Sequence, residues 1–339
     1  MGMLKKDETL LAGDVGATKT HLGLFSLSDS SANPIKVQRF LNRGFEDLYL
    51  MIETFLSGAS SAILPHYASF GVAGPVEKGV CRFTNIPWVV DVCKLKQRFG
   101  FKDVLLMNDL EAAGWGIALL EKGDMAVLNK GRRAHGNIAL LAAGTGLGEA
   151  VLFWDGKEHI PFHSEGGHAD LAGRNSIEME LAACLIDRYI HASYERVLSG
   201  EGLRTVYEFL KDKGYVSPDP KVEQRLGQDE PASVIIESAL KLNDPLSTKA
   251  IDIFVSLYGA EAGNLALKCM ATGGVYLAGG ISHRLTTVLK GRVFLESFAS
   301  KGRFESLLRR VPVYLVLNDR VALFGAFRAG RRRFCRGAK

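Results

Sequence analysis

The chain has 339 residues, of which 47% are hydrophobic and 23% are charged, a composition typical of soluble globular proteins and not of disordered ones. No apolar run approaches the ~20 residues that a membrane-spanning helix needs, so we expect no membrane association. The excess positive charge, +5 in total, lies in the C-terminal tail RAGRRRFCRGAK, which is more typical of a solvated helix end than of a nucleic-acid surface, so we expect no nucleic-acid partner.

The chain begins with a predicted β-hairpin. Residues 9–27 read TLLAGDVGATKTHLGLFSL, in which an apolar segment enters a small-residue turn and leaves as a second apolar segment. The pattern that follows predicts helices over 46–57, 91–99 and 109–120 and strands over 67–73 and 103–107.

A second hairpin of the same kind is predicted over 138–153, which read IALLAAGTGLGEAVLF. An Asp-Gly turn follows at Asp155–Gly156, and Asn175 with Glu178 three residues later indicates the start of a helix. The remaining predicted elements are helices over 203–213, 231–242, 246–270 and 290–300, strands over 273–280 and 311–317, and a short terminal helix.

The two hairpins determine the predicted fold class. Two related units about 125 residues apart indicate a duplication and not a solenoid, so we expect an α/β architecture of two domains with a cleft between them. No low-complexity linker separates the halves, which places the hinge in ordinary residues near 118–125. We expect a small α/β domain at 1–118 plus 319–339, with the final helix crossing back to it, and a larger α/β domain at 119–318.

The turn of the first hairpin, GDVGATKT, is a candidate phosphate-binding loop. It matches neither GxxxxGK[ST] nor GxGxxG, but a small-residue turn can present backbone N–H groups to phosphate oxygens. Asp14 would repel a phosphate directly, whereas it can hold a hydrated Mg²⁺ that bridges two phosphates. Gly-rich hairpin turns are also common as purely structural features, so this turn alone decides nothing. The candidate phosphate-binding residues here are Gly13, Asp14, Val15, Gly16, Ala17 and Thr18.

Two further small-residue turns follow predicted strands. AAGTGLG at 142–148 repeats the pattern without a carboxylate, and LAGGIS at 277–282 could lie against the adenosine of a nucleotide. Each is ambiguous by itself, but three such turns at strand ends favour a nucleotide-binding protein. The candidates in these turns are Gly144, Thr145, Gly146, Gly279 and Gly280.

Asn108 and Asp109 form a candidate catalytic pair. They follow an apolar strand and begin a predicted helix, which is where α/β folds bind ligands. Either residue could instead simply cap the helix. Because phosphoryl transfer to a hydroxyl needs a group that accepts its proton, Asp109 is the best-placed candidate for a general base.

The stretch SEGGHAD at 164–170 brings Glu165 and His168 together around two glycines. Metal ligation, acid–base catalysis and sugar recognition are all chemically possible. The absence of a cysteine cluster or a second histidine at ligand spacing disfavours zinc, and Ser164 has no oriented triad. Sugar hydroxyls, by contrast, are well fixed by carboxylate acceptors and an imidazole. We interpret Glu111 and Glu149 as solvated or locally hydrogen-bonded.

Together these motifs resemble the actin-like ATPase (ribonuclease H-like) fold that sugar kinases and heat-shock ATPases share. The resemblance rests on Asp-Xaa-Gly-Xaa-Thr in the first hairpin, Gly-Thr-Gly in the second and a late Ala-Gly-Gly. The stretches MNDLEAAGWG, SEGGHADLA, ERVLSGEGL and PVYLV resemble the bacterial-type glucokinase family in particular. That resemblance runs in order from about residue 10 to residue 327.

The resemblance implies an ATP-dependent kinase that phosphorylates the 6-hydroxyl of D-glucose to give glucose 6-phosphate, the first step of glycolysis, with Mg²⁺ on the phosphates. It implies that Asp109 accepts the proton of the 6-hydroxyl. It also implies that the glucose hydroxyls bind Asn108, Glu165, His168 and Glu195, and that the chain forms a homodimer.

We expect the chain to work in the cytoplasm. Its five cysteines are scattered and include no CxxC pair, which is typical of proteins in a reducing compartment and argues against a disulfide framework.

One feature departs from the family pattern. Ala17 stands where the family has a second glycine, and Lys19 follows where asparagine is more common. Alanine is tolerated there only if its φ is negative.

Three alternatives stay open. The first is a kinase with different substrates, in which the sugar could be another hexose, such as mannose, fructose or an N-acetylhexosamine, or the donor could be ADP or polyphosphate. A sugar-responsive DNA-binding regulator is disfavoured, because too few residues precede the first strand and the basic tail is too short for a helix-turn-helix. A protein that only binds sugar is the third alternative.

Overall fold

The computed structural model describes residues 8–29, 32–57, 64–83, 86–132 and 134–335. It is a mixed α/β structure, which confirms the predicted fold class at that level. The chain divides into two compact units: the first unit comprises Met1–Gly123, His159–His163 and Asn318–Lys339, and the second unit comprises Asp124–Glu158 and Ser164–Leu317. Within the described ranges, no helix is long and apolar enough to cross a membrane.

The strands in chain order are β1 (Thr9–Val15), β2 (Lys19–Ser26), β3 (Pro34–Leu41), β4 (Tyr67–Val72), β5 (Val76–Glu77), β6 (Val80–Arg82), β7 (Val89–Asp91), β8 (Asp103–Asn108), β9 (Met125–Asn129), β10 (Ile138–Ala143), β11 (Leu147–Trp154), β12 (His159–Ser164), β13 (Gly274–Ala278) and β14 (Val313–Val316). The helices are α1 (Leu48–Leu56), α2 (Val92–Phe99), α3 (Asp109–Ile117), α4 (Ser176–Tyr189), α5 (Gly200–Asp212), α6 (Pro220–Leu226), α7 (Pro231–Leu242), α8 (Pro245–Cys269), α9 (Gly280–Arg284), α10 (Thr286–Leu289), α11 (Arg292–Ala299), α12 (Glu305–Arg309) and α13 (Val321–Cys335).

The predicted hairpins and most of the predicted helices are confirmed to within a few residues. The sequence analysis missed β3, the small sheet β5-β6-β7 and β9, and the terminal helix is longer than expected. Strand β3 begins at Pro34 and lies at the edge of its sheet with several exposed side chains. Because proline is confined to strand starts and edges, such a segment carries a weak strand signal.

The first unit is built on a sheet in the order β3-β2-β1-β4-β8. β1 pairs antiparallel with β2 and parallel with β4, which in turn pairs parallel with β8. Helices α3 and α13 can pack closely because two of their contact positions are glycine. A Cβ at Gly116 would collide with the carbonyl of Val321, and a Cβ at Gly325 would collide with the carbonyl of Ala112. The two glycines therefore let α3, which begins at Asp109, lie directly against α13.

The second unit contains the neighbouring strands β11-β10-β13-β14-β9. β10 pairs antiparallel with β11 and parallel with β13, and β13 pairs parallel with β14. The two sheets therefore share one pattern, in which a hairpin is followed by two parallel strands.

Helix α8 is the long central helix of the second unit. Its start is set by the Asp244 side chain, which accepts from the Ser247 N–H at 2.8 Å, and by proline at the first helical position. Gly259 and Gly263 let α11 approach, because a Cβ on either would collide with a carbonyl oxygen of α11. Glu261 lies between these two glycines and is fully buried.

Candidate active site

The turn between β1 and β2 is held by a residue that the sequence analysis missed. The Asn42 amide donates to the carbonyl oxygens of Gly16 at 2.8 Å and Ala17 at 3.1 Å, and its Oδ1 accepts the Thr20 hydroxyl at 2.9 Å. Its backbone N–H donates to the Thr18 carbonyl at 3.0 Å. Asn42 is 4% exposed, so one buried amide fixes the conformation of the candidate phosphate turn.

The turn also meets the condition set for Ala17. Ala17 is not among the non-glycine residues with positive φ, so alanine stands there without backbone strain. The turn closes through the Gly16 N–H, which donates to the Lys19 carbonyl at 3.1 Å. Thr18 is exposed at its tip, where its hydroxyl and backbone N–H can meet a ligand.

Asp14 lies at the end of β1 beside a buried histidine. The hairpin register pairs Asp14 with His21, and His21 Nδ1 lies 3.6 Å from Asp14 Oδ2. On its other side, His21 Nε2 lies 3.8 Å from Asp319 Oδ2. His21 is 3% exposed and was not selected from the sequence. The register of the predicted hairpin, which sets His21 opposite Asp14, could have identified it.

Asn108 and Asp109 lie where β8 ends and α3 begins, and both interact with the same backbone N–H. Leu110 N–H donates to Asn108 Oδ1 at 2.8 Å and to Asp109 Oδ1 at 2.9 Å, so the capping alternative describes part of what they do. Burial raises the pKa of the Cys81 thiol to about 11, and the nearby Asp109 adds to the rise. That thiol therefore stays protonated and does not compete with Asp109 as a base.

Asp14 and Asp109 share one edge of the first unit's sheet. Asp14 pairs with Gly71 on β4, and the next residue of β4, Val72, pairs with Asn108 on β8. A Cβ at Gly71 would lie 2.5 Å from Ala112 Cβ and 3.5 Å from Asp109 Cα. The glycine at position 71 therefore lets α3 begin directly against the sheet, at the carboxyl ends of parallel strands where α/β folds bind ligands.

The residues around Asp14 fit a hydrated magnesium ion. Mg²⁺ is usually held by one or two carboxylates together with waters and substrate phosphates, and not by a cage of protein ligands. Asp14 supplies one partly exposed carboxylate next to a turn of backbone N–H groups. Among the described residues there is no group of three or more metal-ligating side chains.

In the second unit, the two later small-residue turns lie against each other. The turn between β10 and β11 closes through the Gly144 N–H, which donates to the Gly146 carbonyl at 2.9 Å, and the Gly144 carbonyl accepts the Gly200 N–H at 2.9 Å. Gly279 has φ +92°, and a Cβ there would collide with the carbonyl of Ala143. A side chain at position 279 would separate the turns, which explains the need for glycine. Thr145, Gly279 and Gly280 are exposed.

Glu195 joins the turn between β10 and β11 to the SEGGHAD segment. Its Oε2 accepts the Leu147 N–H at 3.0 Å, and its Oε1 lies 3.7 Å from His168 Nε2. A Cβ at Gly146 would collide with Glu195 Oε2. The structure therefore brings Glu195 and His168 together from segments about 27 positions apart in the sequence, beside a candidate phosphate turn.

The SEGGHAD segment forms a tight 3₁₀ turn at Gly166–His168. Gly167 is buried against the carbonyl of Leu147, where a Cβ would collide. The side chains of Glu165 and His168 are exposed on this turn, with His168 58% exposed. Both are thus available to a ligand. Asn108 and Asp109 belong to the first unit, whereas Glu165, His168 and Glu195 belong to the second.

The interpretation of Glu149 as solvated or locally hydrogen-bonded is wrong. Glu149 is 1% exposed, and burial, together with the charge of Glu261, raises its pKa to about 8. Glu111 is half-buried, and its Oε2 lies 3.8 Å from His163 Nδ1. Burial raises the pKa of Glu111 as well, although the neighbouring histidine opposes the rise. Glu149 was misjudged because its partner is 112 positions away on α8, beyond the reach of local patterns.

The comparisons with known proteins agree with one another. A sequence model described as "Glucokinase" matches residues 11–332. A protein named glucokinase from Nostoc punctiforme is 40% identical over 332 residues, which cover 94% of this chain and 97% of that protein.

Solved structures share the fold of this chain. The crystal structure of a glucokinase from an Antarctic psychrotroph has a TM-score of 0.83 and 28% identity, covering 96% of this chain and 99% of that one. A ROK family glucokinase from Streptomyces griseus, solved in complex with glucose and AMPPNP, shares the fold with a TM-score of 0.63 and 20% identity, covering 96% of this chain and 99% of that one.

Proposed function

The chain belongs to the glucokinase family, and we propose that it transfers the γ-phosphoryl group of ATP to the 6-hydroxyl of D-glucose with Asp109 as the general base. The observation that carries the assignment of the base is the position of Asp109 at the start of α3, on the sheet edge that also holds Asp14. The relatives' name supports glucose as the sugar, and the glucose and AMPPNP bound in the Streptomyces griseus protein support both substrates.

Asp109 has the chemistry that the transfer requires. The attacking 6-hydroxyl must lose its proton as it bonds to phosphorus, and a positioned carboxylate can accept that proton. Phosphoryl transfer otherwise needs mainly alignment and charge neutralisation. Because the Leu110 N–H donates to Asp109 Oδ1, the carboxylate has a defined orientation at the start of α3.

The phosphates of ATP are assigned to the turns Gly13–Thr18 and Gly144–Gly146, and the adenosine side of the nucleotide to Gly279 and Gly280. Backbone N–H groups in these turns can donate to phosphate oxygens. Asp14 is assigned to Mg²⁺, through water. When bound, Mg²⁺ neutralises the charge that the transferred phosphoryl group shares with its leaving group.

The sugar hydroxyls are assigned to Asn108, Glu165, His168 and Glu195. Carboxylate oxygens accept hydrogen bonds from hydroxyl groups, and an imidazole can donate through one nitrogen and accept through the other. Since Asn108 Oδ1 is occupied by the Leu110 N–H, the amide NH₂ of Asn108 is the group that donates to the sugar.

We also propose that the chain forms a homodimer, works in the cytoplasm and catalyses the first step of glycolysis. The homodimer and the glycolytic step rest on the family resemblance, and the cytoplasm rests on the five scattered cysteines. Light scattering coupled to size-exclusion chromatography tests the first, since a dimer has twice the monomer mass of 36.9 kDa.

The test of function is the formation of glucose 6-phosphate from glucose, ATP and Mg²⁺ by the wild-type chain and by Asp109→Asn. General-base catalysis contributes about 10²–10⁴-fold, so kcat of the variant should fall by at least about 10²-fold while glucose binding changes little. Asp91→Asn is the matched control, because Asp91 also caps a helix of the first unit, accepting from the Cys93 N–H at 2.7 Å.

Near-normal kcat in Asp109→Asn would refute the assignment of the base. If the wild-type chain phosphorylates mannose, fructose or an N-acetylhexosamine faster than glucose, the sugar assignment is wrong. If it transfers phosphate from ADP or polyphosphate but not from ATP, the donor is wrong.

A further inference from the structure

Two carboxyl groups of the second unit are buried beside each other. Glu149 on β11 is 1% exposed and Glu261 on α8 is 0% exposed, and the two side chains are within hydrogen-bonding reach. Glu149 Oε1 and Glu261 Oε1 both lack a hydrogen-bond partner among the described residues. A single proton between the carboxyl groups would satisfy them, whereas two adjacent buried anions would repel strongly.

The protonation of this pair follows from its surroundings. Burial raises the pKa of both groups, that of Glu149 to about 8. Of the two ammonium groups whose charge acts on Glu261, Lys268 and Lys301, Lys268 acts more strongly. Lys268 Nζ lies 3.7 Å from Glu261 Oε1, and the Lys268 side chain is 60% exposed. An exposed ammonium stabilises a buried carboxylate only weakly, so one cation offsets at most one of the two charges. The pair therefore titrates as a unit that holds one proton at neutral pH.

Glu149 lies directly beneath the turn that carries His168. A Cβ at Gly166 would collide with Glu149 Oε2, so the backbone of the turn rests on this carboxyl group. Ser164 Oγ donates to the Glu149 carbonyl at 3.2 Å and accepts the Gly166 N–H at 3.2 Å. A shift of the Glu149 side chain is therefore transmitted to Gly166.

Glu261 is connected to the turn that carries Glu195. The Asn264 amide donates to Glu261 Oε2 at 2.8 Å and to the Tyr194 hydroxyl at 3.0 Å. Tyr194 is buried, which raises its pKa to about 12, and it immediately precedes Glu195. The Tyr194 N–H also donates to the Ala169 carbonyl at 3.1 Å, which joins this turn to the SEGGHAD segment.

We propose that Glu149 and Glu261 share one proton, and that the protonated pair positions the two turns, Gly166–His168 and Tyr194–Arg196, that carry the sugar ligands. Glu149 is thus a positioning residue, and sugar affinity falls when the pair loses its proton at alkaline pH. The inference rests on the proposed function in one respect, which is the assignment of glucose to these turns.

Other groups around the pair do not replace this proton. The titratable and charged side chains that interact with Glu149 or Glu261 are Tyr194 from the turn before α5, Tyr258, Lys268 and Cys269 from α8, and Lys301 after α11. Burial raises the pKa of Tyr258 and Cys269, so both stay neutral. Burial lowers the pKa of Lys301, whose Nζ donates to Asn264 Oδ1 at 2.6 Å.

The first experiment is the pH profile of KM for glucose, from about pH 6 to about pH 9.5 at saturating ATP, for the wild type and E149Q. Loss of one linked proton raises KM by up to about tenfold per pH unit above the pKa of the pair. The wild type should show this rise above about pH 8 with little change in kcat. In E149Q the amide cannot ionise and can still donate to Glu261, so KM should stay flat. E261Q should remove the rise as well and replaces E149Q if that variant fails to fold.

Glu178→Gln is the matched control. Glu178 is a buried carboxylate of the second unit, 2% exposed, whose partner is Arg174 at 2.6 Å. This variant should keep the wild-type pH profile of KM. Parallel profiles for the wild type and E149Q would overturn the proposal.

A second readout needs neither sugar nor turnover. Hydrogen exchange of the backbone over 164–169, corrected for the intrinsic effect of pH, should show loss of protection above about pH 8 in the wild type and not in E149Q. Equal protection in the two proteins at every pH would overturn the positioning role. If no sugar is phosphorylated but protection still depends on pH in this way, the proposed function fails and the positioning role stands.

Discussion

Replacing Asn42 by alanine should weaken ATP binding without weakening glucose binding. The substitution removes three side-chain hydrogen bonds, to the carbonyls of Gly16 and Ala17 and from the hydroxyl of Thr20. A typical net contribution is about 1 kcal/mol per hydrogen bond, so the folded chain loses about 3 kcal/mol.

Part of that loss should appear in binding. The turn that Asn42 holds is the proposed phosphate turn, and a loosened turn must be ordered again when ATP binds. If ordering the turn takes about half of that 3 kcal/mol from the free energy of ATP binding, KM for ATP rises about tenfold. The assay is steady-state kinetics with each substrate varied in turn, together with calorimetric titration of glucose in the absence of ATP.

Asn129→Ala is the matched control for this prediction. The Asn129 amide also donates to two backbone carbonyls, those of Arg309 at 3.1 Å and Val311 at 2.7 Å, but in the second unit and away from the proposed turns. It should lower the unfolding temperature while leaving KM for ATP unchanged. The reasoning is refuted if Asn42→Ala lowers the unfolding temperature and KM for ATP stays within twofold of the wild-type value.

Three further predictions concern packing and charge. Gly71→Ala should displace the start of α3 and with it Asp109, so that kcat falls about 10²-fold; kinetics with kcat within twofold of wild type would contradict this. Gly325→Ala forces α13 away from the backbone of α3 and should lower the unfolding free energy by about 1–3 kcal/mol. Gly123→Ala is the control and should lower it less, because no atom lies near a Cβ at that position. Equal unfolding temperatures of the two variants would refute the packing argument. The folded chain keeps a proton on Glu149 up to about pH 8, whereas the unfolded chain releases it above the ordinary pKa of 4.5. The contribution of Glu149 to the unfolding free energy therefore falls as pH rises from about 4.5 to about 8, by up to about 5 kcal/mol. Thermal unfolding of E149Q should therefore show a stability relative to wild type that grows over this range and then levels off, and a pH-independent difference would exclude a proton held on Glu149.

Sequence patterns predicted the elements that depend on interactions between residues close together in the chain. The two hairpins were recognisable because apolar segments flank small-residue turns, and Asn175 was recognisable as a helix cap because its side chain accepts from the Glu178 N–H within the same turn. The pair Asn108–Asp109 was placed for the same reason, since it stands where a strand ends and a helix begins. Each of these features depends on residues only a few positions apart.

Contacts between distant segments were not predictable in this way. Asn42 was missed because its role depends on a backbone turn 25 positions earlier and follows an edge strand with a weak signal. The meeting of His168 with Glu195 was expected only from the family resemblance. Strand β9 was missed because its pairing partner, β14, is far away in the chain.

By itself the sequence determined the α/β class, the hairpins, the capped helix at Asp109 and the family, because short-range periodicity and contiguous motifs carry that information. Only the tertiary structure decided which side chains are removed from water together. Glu149 and Glu261 have acidic side chains like any others in the sequence, and their burial side by side is set by the packing of α8 against the sheet that contains β11. The free energy of a charge depends on its surroundings and not on its neighbours in sequence, so the protonation of that pair is a property of the fold.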